Sequence, residues 1–93
     1  MKVFISIPMR GKSEEEIREE MEQIKKDFGF NDSEFIDSII PDHESKTPLE
    51  CLAESIKLLD TADAITFAEG WEDAPGCRIE MAVAVNYNIP IYK

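Results

Sequence analysis

Apolar and polar positions fall into seven blocks along the chain, and each block predicts one element. Val3 to Ile7 is a short β-branched and aromatic run, which reads as a buried strand. Pro8 closes it, because proline cannot donate to a central ladder. Pro8–Lys12 is then a loop. Ser13 followed by Glu14, Glu15 and Glu16 predicts a helix start, with Ser13 as N-cap and Glu16 completing a capping box. Ile17, Met21, Ile24 and Phe28 recur at helical spacing and form one apolar stripe against a charged face. Gly29 is the stop signal.

Phe35–Ile40 predicts a second strand, although Asp37 and Ser38 break its alternation. The polar stretch 41–48 is a loop. A helix follows from about Pro48 to Asp60, with Thr47 as N-cap and Pro48 at the first position. Its apolar stripe is Leu52, Ile56 and Leu59. Asp63–Phe67 predicts the third strand and Gly70–Gly76 a loop. Pro75 or Gly76 opens a helix to about Asn86. Asn88 turns the chain, and Ile89–Tyr92 is the last strand.

This βαβαβαβ order predicts an α/β fold of the flavodoxin or Rossmann-like three-layer kind. Its sheet has four parallel strands in the order 2-1-3-4, with about three helices. Right-handed crossovers leave few other topologies. The switch point then lies between the first and third strands, so the loops Pro8–Lys12 and Glu69–Gly76 face one another across a ligand crevice.

Composition narrows the class. Ninety-three residues, 43% hydrophobic and 32% charged, suit one domain with a modest core. A net charge of −10 argues against nucleic-acid binding. The first residues are too short and too quickly polar for a signal peptide, and no run approaches the roughly 20 apolar residues of a membrane span. A cytoplasmic protein with no membrane contact is expected. Cys51 and Cys77 lack metal-type spacing, and the single His43 cannot complete a zinc set with them. They read as small buried hydrophobes, and neither a metal nor a cofactor is expected.

Candidate chemistry centres on the crevice. Glu80 lies one turn into the third helix, near Gly76, Cys77, Val83 and Ala84. A carboxylate among small residues at a crevice suits a nucleophile or general base. The pattern by itself favours the plainer alternative, a solvent-facing acid or one paired with Arg78 or Arg10. Arg10 precedes a helix N-terminus, a place suited to an anionic group. Trp71 either stacks on a base or sugar or closes the core as a lid. Asp73 shares its loop. Asp60 and Asp63 sit at the amino end of the third strand, away from the crevice. No Walker or GxGxxG pattern is present, which excludes P-loop and dinucleotide readings.

The residues also resemble a known family. Ser6-Ile7-Pro8-Met9-Arg10-Gly11 is followed by Leu58-Leu59, Asp63-Ala64-Ile65, Gly70-Trp71-Glu72, Gly76-Cys77-Arg78-Ile79-Glu80, Ala84 and Pro90-Ile91. This run is similar to the nucleoside 2-deoxyribosyltransferase-like superfamily, in its small phage and bacterial branch. The likeness covers nearly the whole chain, and its second half is the specific part. It implies that Glu80 is a nucleophile that attacks the anomeric carbon of a deoxynucleoside or its monophosphate and expels the base. Water or another base then resolves the intermediate. It also implies that Ser6, Met9, Arg10, Gly11, Trp71, Asp73 and Gly76 bind substrate, Arg10 through phosphate. A homodimer or higher homo-oligomer is implied, since relatives complete the pocket from a neighbouring subunit, partly with a C-terminal extension.

This sequence departs from the family pattern in three places. Ser55 stands where relatives carry an aspartate, eight residues ahead of Asp63. No glycine precedes Pro8-Met9. Thirteen residues follow Glu80 in this sequence, so no contribution of that kind is expected from it. Three functions follow as expectations. The first is an N-glycosidase or deoxyribosyltransferase. The alternatives are a non-catalytic nucleotide-binding or sequestering module, and a small interaction protein with a vestigial pocket.

Overall fold

The computed structural model describes residues 1–29, 35–40 and 42–92. Four strands, β1 (Val3–Ser6), β2 (Phe35–Ile36), β3 (Ala64–Phe67) and β4 (Ile91–Tyr92), form one sheet in the order β2-β1-β3-β4. All three pairings are parallel, and β1 and β3 run in register from Val3 opposite Ala64 to Ser6 opposite Phe67. The helices are α1 (Glu14–Phe28), α2 (Pro48–Leu59) and α3 (Pro75–Asn86). Single 3-10 turns lie at His43–Ser45 and Trp71–Asp73. This is the α/β order expected from the hydrophobic blocks.

Strand alternation divides the core into two layers. Ile5 and Ile7 point to one face and pack with Ile17 and Met21 of α1. Phe4 points to the other and packs with Leu59 of α2, Ile65 of β3 and Ala84 of α3. Ser6 shares the Phe4 face. Each large side chain buried this way contributes about 1.5–3 kcal/mol.

Both crossover helices after β1 and β2 begin with a complete capping box. Ser13 Oγ accepts from the Glu16 N–H, and Glu16 accepts from the Ser13 N–H at 3.0 Å. Thr47 and Glu50 repeat the arrangement at α2. The N–H bonds from Ser13 and Thr47 hold the Glu16 and Glu50 carboxyls below the usual range. Thr47→Ala should lower stability by about 1 kcal/mol, read as a shift in the urea midpoint. Gly29 ends α1 in the left-handed conformation, φ 70°, with its N–H on Lys25 and Lys26 carbonyls.

All four strands are shorter than the sequence expectation, β3 by one residue, since it starts at Ala64 rather than Asp63. The strand expected over Phe35–Ile40 pairs only at Phe35–Ile36. Beyond it Ser38 Oγ donates to the Ile5 carbonyl at 2.7 Å, and Asp37 accepts from the Ile39 N–H. These side-chain bonds, one local and one reaching back to β1, take the place of a ladder. Ile39 and Ile40 are buried all the same. β4 starts at Ile91 rather than Ile89, because Asn88 takes a positive φ of 58° and the Ile89 N–H bonds back to Ala84. β1 ends at Ser6 rather than Ile7. Among the described residues, no helix is long and apolar enough to cross a membrane.

Candidate functional site

The switch point between β1 and β3 opens into a cavity of about 650 Å³, within the range of small-molecule sites. α1 leaves β1 on one face, while α2 and α3 cover the other. The carboxyl end of β1 is therefore left open between the layers. Residues 4–13 line one side, the segment from Ala74 to Glu80 another, and the start of α2 a third.

Glu80 is at its floor. It is 5% exposed, and its Oε1 accepts a bond from Ser6 Oγ at 2.6 Å. Ser6 is itself 1% exposed. This bond joins the end of β1 to the second turn of α3 across 74 positions of sequence. Burial pushes the Glu80 carboxyl up from 4.5 to about 6, against the pull of the Ser6 hydroxyl. The expected alternatives for Glu80, a solvent-facing acid or a partner of Arg78 or Arg10, are thereby corrected. It faces the core cavity and bonds a serine.

Three cations line the cavity: Arg10, Lys12 and Lys46. Lys12 is paired with Glu20, and Lys46 with Glu54 at 2.9 Å, which holds its ammonium above the usual range. Arg10 is exposed and makes no ion pair among the described residues, in a chain that carries twenty acids. The N-terminus of α3 also opens on the cavity through Pro75, Gly76 and Cys77. Its N-cap is Ala74, with no side-chain cap and no acid in the first turn. Uncapped first-turn amides favour an anion.

A family described as "Domain of unknown function (DUF4406)" matches residues 1–93. The chain belongs to this family. No curated protein and no solved structure matches it.

Of the site residues expected from sequence, the DUF4406 fold brings Ser6, Met9, Arg10, Gly11, Gly76 and Glu80 to one cavity. Trp71 and Asp73 are not on its wall. Residues 70–74 close a compact 3-10 turn instead, with the Asp73 N–H on Gly70 and the Ala74 N–H on Trp71. The Trp71 ring packs against Phe67, with centroids 5.1 Å apart. Asp63 accepts from the Lys2 N–H at 2.8 Å and tethers the chain start, far from the cavity.

The cavity also gathers residues outside the expected binding set. Ser55 is buried on its wall. Lys12 and Lys46 reach it from two loops, and nothing in their local spacing marks them. Cys51 and Cys77 both line it, Cys51 half-buried rather than buried. Burial holds the Cys77 thiol above its usual value, which makes it a poor nucleophile. Among the described residues, no group of three or more His, Cys, Asp or Glu side chains is placed to hold a metal ion.

Proposed function

We propose that this DUF4406 chain binds a nucleoside or nucleotide in the switch-point cavity and cleaves its base–sugar bond, with Glu80 as nucleophile. The observation that carries the reading is a buried, serine-bonded carboxylate on the floor of a small-molecule-sized cavity. The resemblance of the Gly-Trp-Glu and Gly-x-x-x-Glu segments supports the same assignment. Arg10 and the open first turn of α3 supply an anion-favouring end for a phosphate, if one is carried.

In the reaction, a Glu80 oxygen forms a bond to the anomeric carbon as the carbon–nitrogen bond breaks. The electron pair leaves with the base, which takes a proton from water. Water or a second base then attacks the same carbon and releases Glu80. Two displacements retain configuration. A desolvated carboxylate with a raised pKa is the more basic attacking group.

The pH profile tests this role. A nucleophile works in its charged form, so base release should rise with pH as a one-proton step with its midpoint near 6, the value to which burial lifts Glu80. Release that instead falls through this range would make Glu80 a proton donor and overturn the nucleophile assignment.

The reading of the protein as a binding module shares this cavity. It predicts that nucleotides raise the melting temperature and are recovered unchanged. The single-serine environment of Glu80, with Ser55 in the place of a second carboxylate, is the observation that favours it.

A further inference from the structure

We propose that Ser6 is a positioning residue that makes the two oxygens of Glu80 inequivalent, fixing Oε1 and directing Oε2 into the cavity as the attacking atom. This rests on the reading of Glu80 as the nucleophile. The geometry is specific. Oε1 accepts the Ser6 hydroxyl at 2.6 Å. Oε2 accepts no hydrogen bond among the described residues. Yet no buried side-chain oxygen there lacks a partner. Oε2 is therefore not sealed in. It touches open space, and the open space at Glu80 is the cavity.

The hydroxyl can do this because of where β1 places it. Ser6 lies on the same face as Phe4, which is locked against Leu59, Ile65 and Ala84. Its carbonyl is held by the Ala68 N–H at 2.9 Å. A hydroxyl has one proton to donate, and giving it to Oε1 fixes the carboxylate plane without using the second oxygen. The same bond favours the charged form of Glu80 and so opposes the effect of burial. Ser6 thus directs the carboxylate and offsets part of the larger effect of burial on its titration, with the Cys77 thiol, which also bonds Ser6, as the titratable neighbour on α3. A short side chain is enough: the bond spans two elements that already touch, so little side-chain freedom is lost in making it.

The test is a titration of the Glu80 carboxyl carbon by NMR in wild type, Ser6→Ala and Ser6→Thr, without ligand. Ser6→Ala should move the Glu80 midpoint upward by about one unit, the size of one lost charge-assisted bond. Ser6→Thr keeps the donor and should return it to the wild-type value. Base release measured beside it should show kcat falling about 10- to 100-fold in Ser6→Ala with KM little changed, since the attacking oxygen is misdirected. The acid limb should move upward by the same amount as the titration. A Glu80 midpoint unchanged in Ser6→Ala overturns the proposal, whatever the assay gives. Wild-type protein that releases no base, while Glu80 titrates as expected in all three proteins, overturns the glycosidase reading and not the Ser6–Glu80 coupling.

Discussion

Replacing Glu80 with Gln should abolish base release and at the same time make the protein more stable at neutral pH. The two effects have one cause. Burial raises the Glu80 pKa from 4.5 to about 6, so the folded protein holds this proton more tightly than the unfolded chain does. The stabilisation from that proton is fully present below pH 4.5 and is lost as pH rises through 6. At pH 7 wild type therefore keeps a desolvated charge at a cost of about 2 kcal/mol. Gln is the same size, and its carbonyl still accepts from Ser6, but it carries no charge. Glu80→Gln should melt about 8–16 °C higher at pH 7, with the difference shrinking to nothing below pH 4.5. Base release should fall at least about 1,000-fold. Thermal melts across pH 4–8 check the first effect, and chromatography the second. A Gln variant less stable than wild type at pH 7 would mean that the Glu80 charge is compensated by something other than Ser6.

Phe4→Ala should cost about 3–5 kcal/mol, the range for removing a large aromatic side chain from a core. Phe4 is 1% exposed in the middle of β1, and it meets α2, β3 and α3 at once through Leu59, Ile65 and Ala84. Those neighbours belong to three elements and cannot all collapse into the gap. Domains of this size carry roughly 5–14 kcal/mol in total, so the loss takes a large share. Urea unfolding with an unchanged m-value measures it. Leu49→Ala is the control: Leu49 is 75% exposed, and the change should stay within about 0.5 kcal/mol. A Phe4→Ala midpoint close to that of the control would contradict the two-layer core.

The element order can be read from the sequence because its signals are local, and the strand order follows from it through right-handed parallel crossovers. Ser13 and Thr47 announce helices with side chains that bond three residues on. Pro8 ends a run of apolar residues where the strand also ends, within one residue. The shortening of β2 is less visible: Asp37 and Ser38 do break the alternation, but the bond from Ser38 reaches Ile5, 33 positions away. Glu80 is the clearest case. α3 is apolar nearly all round, so no stripe marks its inner face. Cys77, Glu80 and Ala84 turn inward, while Ile79 and Val85 turn out. A carboxylate chosen for burial over an isoleucine runs against hydrophobic patterning, and the partner that makes it tolerable is Ser6, on the first strand. Pattern alone therefore points to a surface acid, and only the resemblance points inward.

The loops after β1 and β3 take different paths. The Ser6–Gly11 segment reaches the cavity because it continues directly from β1. Trp71 and Asp73 follow β3 just as closely, but Gly70 turns the chain with a φ of 88° and the residues after it coil against Phe67. Only with Ala74 does the backbone come back to the wall. Lys46 reaches the site from the loop before α2 and Ser55 from α2 itself, and the strand-end rule singles out neither.

The central claim is that this carboxylate breaks a base–sugar bond. Incubation of wild type and Glu80→Gln with a panel of deoxynucleosides and their monophosphates, followed by chromatography for free base, tests it most directly. The account predicts free base from at least one member of the panel with wild type and none with Glu80→Gln. No free base from any member with wild type, or equal release by both proteins, would contradict it.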